Sequence, residues 1–228
     1  MAHPDITARD VTARDVTARD VIARDVIARD VIARDVIAIV PLKALGQAKG
    51  RMAFALDAGL RLEAVAWMLD RVLAALAGAR GVAQVLVVAG DAAGVDLVGD
   101  RADRVLLERT PGLVAALGAA DAATRLAGAT MVLAADLPLV TADEVDAVCG
   151  AGVSGPCVVL VATRDGGTGA LLRRPGHAMG TAYGPRSAIA HLALARAAGL
   201  RVQQLDLPGL AFDVDTPDAL RNAGFALK

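Results

Sequence analysis

The chain has 228 residues, of which 55% are hydrophobic and only 2% aromatic, and its formal net charge is −1. This length suits one α/β domain, alone or with a short appendage, and the apolar content can fill a large core. The balanced charge and the few aromatic rings argue against a protein that binds nucleic acid or docks on an acidic membrane.

The N-terminus consists of a tandem repeat. Residues 6–37 repeat with a period of five, from ITARD through VTARD to VIARD. A five-residue period moves around a helix and alternates between the faces of a strand, so it gives no continuous apolar face. We therefore predict that residues 1–35 are a weakly ordered low-complexity segment, with partner binding as the alternative role, and that the domain spans residues 36–228.

Apolar runs and helical periodicities alternate through the rest of the chain. The predicted strands are apolar on both faces and alternate with helices. This pattern indicates a three-layer αβα fold, Rossmann-like in type, with a mostly parallel sheet. The predicted strands are 37–42, 82–89, 105–107, 129–134, 157–162 and 202–207. The predicted helices are 62–76, 111–126, one that opens with the capping box 141–144, 186–198 and 216–227.

Two observations bear on the cellular compartment. The sequence contains no run of about 20 apolar residues and no secretory signal, so we expect a cytoplasmic protein without a membrane segment. Cys149 and Cys157 form no CxxC pair, and we expect both to be reduced and structural. The pattern leaves the oligomeric state open.

Lysines are concentrated after the first predicted strand. The chain has three lysines: one is terminal, and the other two, Lys43 and Lys49, lie in one loop with Arg51. An ammonium group is a compact charge that suits phosphate oxygens. Because ligands bind at the carboxyl ends of parallel strands, we predict that this loop binds phosphates; the alternative is a solvated loop.

Aspartates follow two other strands. Asp136 comes after the fourth strand, and Asp213 and Asp215 come after the last. Side chains at i and i+2 of an extended backbone point the same way, and a divalent cation relieves their repulsion. Three converging carboxylates suit Mg²⁺, whereas a lone aspartate could simply cap a turn or helix.

Two segments between these aspartates predict a second anion site. The first is the glycine-rich stretch 163–169, and the second is Tyr183-Gly-Pro-Arg-Ser187 at a helix start. Backbone amides at a helix N-terminus bind anions, although both segments could be ordinary turns. His177 and His191 lack metal-ligand spacing, and we interpret both as structural or surface residues.

These pieces together resemble the 2-phospho-L-lactate or phosphoenolpyruvate guanylyltransferases of coenzyme F420 biosynthesis. The resemblance covers about residues 37–220 and rests on IVPLKALGQAKGRMA, TPGLVAAL, LAADLPL, TRDGGTGALLRRP, YGPRSAIAHL and LPGLAFDVDTPDAL, in that order. It implies a Rossmann-like nucleotidyltransferase fold and transfer of GMP from GTP to a three-carbon phospho-acid, with loss of pyrophosphate. The acid could be 2-phospholactate, phosphoenolpyruvate or 3-phosphoglycerate.

The resemblance also implies residue roles. Lys43, Lys49 and Asp136 would be catalytic, and Asp136, Asp213 and Asp215 would hold Mg²⁺. The nucleotide would be bound by Pro41, Lys43, Lys49, Arg51 and Gly112, and the acid by Thr168, Gly184 and Ser187.

Three positions depart from the family pattern. Val114 and Gly169 stand where the family usually has Asn, and Gly50 stands where it has Ser. Each change removes a polar side chain and bears on nucleotide choice and activity. The alternatives are a related nucleotidyltransferase with another nucleotide or acceptor, and a non-catalytic paralogue whose repeat binds a partner.

Overall fold

The computed structural model describes residues 34–47, 56–153 and 155–226. The predictions for residues 1–33 of the repeat, and for Lys49, Gly50 and Arg51, lie outside these residues. Across the part of the chain that is described, no helix is both long and apolar enough to cross a membrane.

In the described residues, seven strands form one sheet, and all but one run parallel. The strands are β1 (Val36–Leu42), β2 (Val82–Ala89), β3 (Arg104–Leu107), β4 (Ala129–Leu133), β5 (Cys157–Ala162), β6 (Thr168–Arg174) and β7 (Arg201–Leu205). Their order is β3-β2-β1-β4-β6-β5-β7, and β6 is antiparallel to both of its neighbours. The mostly parallel sheet is confirmed.

Helices cover both faces of this sheet. They are α1 (Ala58–Gly78), α2 (Ala92–Val98), α3 (Leu113–Ala123), α4 (Ala142–Ala151), α5 (Ser187–Ala197) and α6 (Pro217–Asn222). In β1, Ala38 and Val40 pack with α1, whereas Ile39 faces α3. Alternate strand residues thus enter cores on opposite faces, and the predicted three-layer α/β fold is confirmed.

Strand β6 corrects the sequence interpretation, which placed this segment in a glycine-rich loop. The penultimate residue of β6 is Arg173, and its side chain is fully buried despite its charge. Two guanidinium nitrogens of Arg173 donate to the two carboxylate oxygens of Asp121, at 2.6 and 3.1 Å. Pairing of this kind makes a buried charge tolerable, and a hydropathy pattern does not reveal it.

Smaller corrections concern helix ends. Helix α2 was not predicted, and α6 ends at Asn222 rather than continuing to residue 227. The capping box is present, with reciprocal bonds between Thr141 and Glu144. Both cysteines are buried and unpaired, and burial raises the pKa of the Cys149 thiol to about 12, which fits a structural role.

Candidate active site

A cavity of about 580 Å³ opens at the carboxyl ends of the central strands. This is where α/β sheets place their ligands. Seven of the predicted site residues line it: Pro41, Lys43, Asp136, Thr168, Gly184, Asp213 and Asp215. The structure therefore brings together residues that lie up to 174 positions apart in the chain.

The loop that carries Lys43 is held by the turn after β2. The amide of Gly90 donates to the carbonyl of Leu42 at 2.8 Å, and a Cβ atom on Gly90 would lie 2.3 Å from the nitrogen of Ala44. Asp91 accepts the amide of Leu45 at 2.8 Å while it also caps α2. The exposed Lys43 therefore lines the cavity from a fixed backbone.

Gly112, which was predicted to bind the nucleotide, is not among the residues that line the cavity. It is the N-cap residue of α3 and has a φ of 126°, which a side chain would strain. The next residue, Leu113, lines the cavity. Gly112 thus begins a helix beside the predicted nucleotide site.

Asp213 and Asp215 reach the cavity on a long connection. Residues 206–216, here called the aspartate loop, follow the edge strand β7 and cross back over the sheet. The amide of Val214 donates to the carbonyl of Asp136 at 3.1 Å, and Val214 itself is fully buried between the two aspartates. This bond fixes the loop beside the end of β4.

Two further contacts hold the aspartate loop. The amide of Gly209 donates to Glu144 at 2.8 Å, and the amide of Arg164 donates to the carbonyl of Ala211 at 3.1 Å. Glu144 belongs to the capping box of α4, so one carboxylate both caps a helix and anchors this loop. The position of the aspartates therefore depends on tertiary contacts rather than on strand length.

Negative charge accumulates around Asp213. Burial raises the pKa of its carboxyl, and the nearby carboxylates of Asp165, Asp136 and Asp215 raise it further. Asp165 lines the cavity and was not among the predicted residues. Within the described ranges, no three His, Cys, Asp or Glu side chains are arranged as a ready metal site. The aspartates share the cavity without forming a closed set of ligands.

Two hydroxyl groups are in contact where the acid substrate was predicted to bind. Thr168 Oγ1 and Ser187 Oγ are 2.9 Å apart, and Thr168 Oγ1 is also 3.0 Å from His191 Nδ1. Thr168 lines the cavity, whereas Ser187 lies behind it and is 3% exposed. Ser187 does not cap α5, because the N-cap residue is Arg186 and no side chain bonds there.

The start of α5 differs from the predicted amide cluster. The amides of Ser187 and Ala188 already donate to the carbonyls of Gly184 and Gly166, at 3.1 and 3.3 Å. Gly184 and Arg186 both line the cavity, and Arg186 has the left-handed φ of 54°. Side-chain donors and a guanidinium are therefore better placed than these two amides to meet an anion.

Two of the three departures from the family pattern lie in described regions. Val114 is 77% exposed in the first turn of α3. At Gly169, a Cβ atom would lie 1.9 Å from the carbonyl oxygen of Leu210, so the aspartate loop occupies the space that a larger residue needs. The glycine is thus matched to the path of this loop.

Sequence signals existed for two of the residues that were missed. Asp165 comes three residues after the end of β5, where the strand-end rule applies. His191 follows Ser187 by four positions, which places both on one helical face. Asp91 also follows a strand end, two residues after β2, but its contact with Leu45 joins two separate loops and could not be read from the sequence.

Comparison with known proteins adds independent findings. A family model described as "Guanylyl transferase CofC like" matches residues 36–223. A phosphoenolpyruvate guanylyltransferase of Sphaerobacter thermophilus is 38% identical over 83% of this chain and 93% of its own length. One from Rubrobacter xylanophilus is 39% identical, covering 80% and 90%.

Solved structures share the fold at lower identity. A nucleotidyl transferase from Methanothermobacter thermautotroptrophicus superposes with a TM-score of 0.59 and 18% identity, over 83% of this chain and 96% of its own. A CMP:2-keto-3-deoxy-manno-octonic acid synthetase complexed with CTP gives 0.56 and 13%, over 82% and 96%. At these identities the likeness shows the nucleotidyltransferase fold.

Proposed function

This chain belongs to the CofC-like guanylyl transferase family, and on that premise we propose that it transfers GMP from GTP to the phosphate of phosphoenolpyruvate. The supporting observation is one cavity that joins a lysine, three aspartates and a buried threonine, which is backed by the Ser187 hydroxyl; these residues come from five separate segments. Both substrates carry several negative charges, and the cavity offers distinct regions for each.

The nucleotide phosphates belong beside Lys43 in this proposal. Lys43 lines the cavity on the loop after β1, and Leu113 at the start of α3 also lines it. The acid belongs at Thr168 and Gly184, with Arg186 at the same end of the cavity. An oxygen of the acid's phosphate would then face the α-phosphorus of GTP from the side opposite the leaving group.

The reaction needs little proton transfer. A bond forms between the acid's phosphate oxygen and the α-phosphorus, and the bond from that phosphorus to the bridging oxygen of the β-phosphate breaks. The bonding pair leaves with pyrophosphate, and the phosphate nucleophile is already an anion at neutral pH. Positioning and charge neutralisation therefore supply the catalysis, as in other phosphoryl transfers, and no side chain need act as a base.

Magnesium fits the donor atoms of this cavity. Asp136, Asp213 and Asp215 offer only oxygen, and mutual repulsion around Asp213 favours a bound cation. Mg²⁺ commonly takes one or two carboxylates and completes its shell with phosphates and water, so a closed protein cage is not required. When bound, it would neutralise charge that develops on the phosphates. The three aspartates would hold the cation beside the end of β4.

Product analysis tests this proposal directly. The protein is incubated with Mg²⁺, each of the four common nucleoside triphosphates, and phosphoenolpyruvate, 2-phospholactate or 3-phosphoglycerate. We expect pyrophosphate release and a guanosine diphospho-ester mass with GTP and phosphoenolpyruvate. Absence of that product, with the protein folded and saturated with Mg²⁺, would refute the proposal. Its formation would agree with a step in coenzyme F420 biosynthesis, which the sequence resemblance implies.

A second candidate is the same transfer with another nucleotide. The observation that favours it is the loss of two polar side chains near the cavity, at Val114 and Gly169. A site without these amide groups has fewer ways to reject a different base. A clear preference for CTP or UTP in the same panel would select this candidate.

A further inference from the structure

The tautomer of His191 is determined by the hydrogen bond at its Nε2 atom. The backbone amide of Ala182 donates to His191 Nε2 at 2.8 Å. An accepting nitrogen carries no proton, so in the neutral ring the hydrogen must lie on Nδ1. Nδ1 therefore donates to Thr168 Oγ1, which lies 3.0 Å away.

The surroundings keep this ring neutral. His191 is fully buried, its ring packs edge-to-face on Tyr183 at 4.7 Å, and the positive Arg173 lies near it. Burial, followed by the charge of Arg173, lowers the pKa of His191 to about 4. Asp121 neutralises part of the Arg173 charge, and the Tyr183 phenol stays protonated because burial raises its pKa.

A count of hydroxyl hydrogens then gives a functional consequence. Thr168 and Ser187 have two such hydrogens, and one is used in the bond between them. When His191 Nδ1 donates, the second hydrogen is left for a ligand. If Nδ1 accepted instead, Thr168 would donate to the ring and Ser187 to Thr168, and none would remain.

We propose that His191 is a positioning residue that orients the Thr168–Ser187 hydroxyl pair so that it donates a hydrogen bond to the anionic acid substrate. Thr168 lines the cavity and Ser187 does not, so the free hydrogen is presented at Thr168. Thr168 is 7% exposed, and water compensates poorly for a missing donor at such a site. With the opposite tautomer, hydroxyl lone pairs would face the substrate's negative charge.

This inference rests on the proposed function, and two substitutions separate its parts. In His191→Gln, the amide oxygen reaches the place of Nε2 and can accept from Ala182, but nothing replaces Nδ1–H. In His191→Asn, the shorter amide reaches the place of Nδ1 and can donate to Thr168, but Ala182 loses its acceptor. The exposed His177 supplies a matched control, His177→Gln.

Steady-state kinetics on the purified chain distinguish the variants. In His191→Gln the Thr168 hydroxyl keeps its hydrogen but is no longer held toward the substrate by Nδ1–H. We therefore expect its bond to the charged acid to weaken and the KM for phosphoenolpyruvate to rise about tenfold, with little change in the KM for GTP. His191→Asn should keep the acid KM within about threefold of wild type and lower the melting temperature instead. His177→Gln should change neither value.

Nuclear magnetic resonance of the wild-type protein tests the same point without a mutation. The sequence has three histidines, so the ring ¹⁵N signals are few. We expect His191 to be neutral at about pH 7 with its hydrogen on Nδ1. A hydrogen on Nε2, or a doubly protonated ring, would overturn the inference.

The kinetic outcomes are equally decisive. A wild-type acid KM in His191→Gln, or equal losses for acid and GTP in both His191 variants, would make His191 structural only. If the wild-type enzyme forms no guanosine product from phosphoenolpyruvate, the proposed function fails and this inference fails with it. An active wild type with an unaffected His191→Gln refutes the inference alone.

Discussion

Replacing Gly169 by alanine tests whether catalysis depends on the exact path of the aspartate loop. The new Cβ atom would lie 1.9 Å from the carbonyl oxygen of Leu210, whereas carbon–oxygen contacts are normally about 3.3–3.6 Å. The two segments must therefore separate by roughly 1.5 Å, and because both groups are fixed to backbone, no rotamer change relieves the clash.

The clash is transmitted to the aspartates from both sides. Leu210 is buried and lies three residues before Asp213, and the carbonyl of Gly169 accepts the amide of Ala134, two residues before Asp136. Overpacking of this kind costs about 1–3 kcal/mol of stability. A misplacement of about 1 Å in a catalytic group costs on the order of 100-fold in rate, so we expect kcat/KM to fall by about that factor.

The assay compares kcat/KM and melting temperature for Gly169→Ala and a matched control. Gly118 lies on the exposed surface of α3 with nothing within 4 Å of its added Cβ, so Gly118→Ala should leave activity intact and stabilise by up to about 1 kcal/mol. Wild-type kcat/KM in Gly169→Ala would refute the idea that Leu210 fixes the aspartates. A loss of stability without a loss of activity would do the same.

Three further predictions follow from other contacts. Asp136→Asn and Asp215→Asn should each reduce turnover by at least about 100-fold at limiting Mg²⁺ while the circular dichroism spectrum is retained; normal turnover would exclude them as metal ligands. Asp91→Ala removes the acceptor for the Leu45 amide and should raise the KM for GTP more than that for the acid; equal changes would contradict a local effect on the Lys43 loop. His191 has a pKa lowered to about 4, so the unfolded chain binds its proton first as the pH falls. The contribution of His191 to the free energy of unfolding is therefore complete above about pH 6.5 and falls by up to about 3 kcal/mol between there and about pH 4. Denaturant unfolding across this range should show this loss in the wild type but not in His191→Asn.

The central parallel strands could be predicted because both of their faces are buried. The run of β5 is continuously apolar, as are residues 85–89 of β2, and a short, bounded run of this kind has few alternatives. Strand β6 escaped prediction because a glycine-rich lead and Arg173 interrupt its apolar pattern. Its burial depends on Asp121, 52 positions away in the chain, and no local pattern records that pairing.

The candidate site could be predicted in part for a related reason. The strand-end rule correctly placed Lys43 and Asp136 at one edge, because each lies within three residues of the end of a central parallel strand. Asp213 and Asp215 reach the same place by a different route, since β7 is an edge strand and the aspartate loop must cross the sheet. The contacts that return it, such as Gly209 with Glu144, join segments 65 positions apart.

The two ends of the cavity differ in their electrostatics: one has clustered carboxylates, and the other has neutral hydroxyl groups. Around Asp213 the carboxylates repel one another, and a cation with the nucleotide phosphates would relieve that repulsion. At Thr168 the hydroxyl groups are neutral and buried. They can bind an anion without a counter-ion, provided that a hydroxyl hydrogen is directed toward the anion. A protonated histidine would add charge there but would lose the bond from Ala182, because both ring nitrogens would then be donors. A neutral His191 therefore gives the acid end a fixed donor direction throughout the range in which the phosphate nucleophile is ionised.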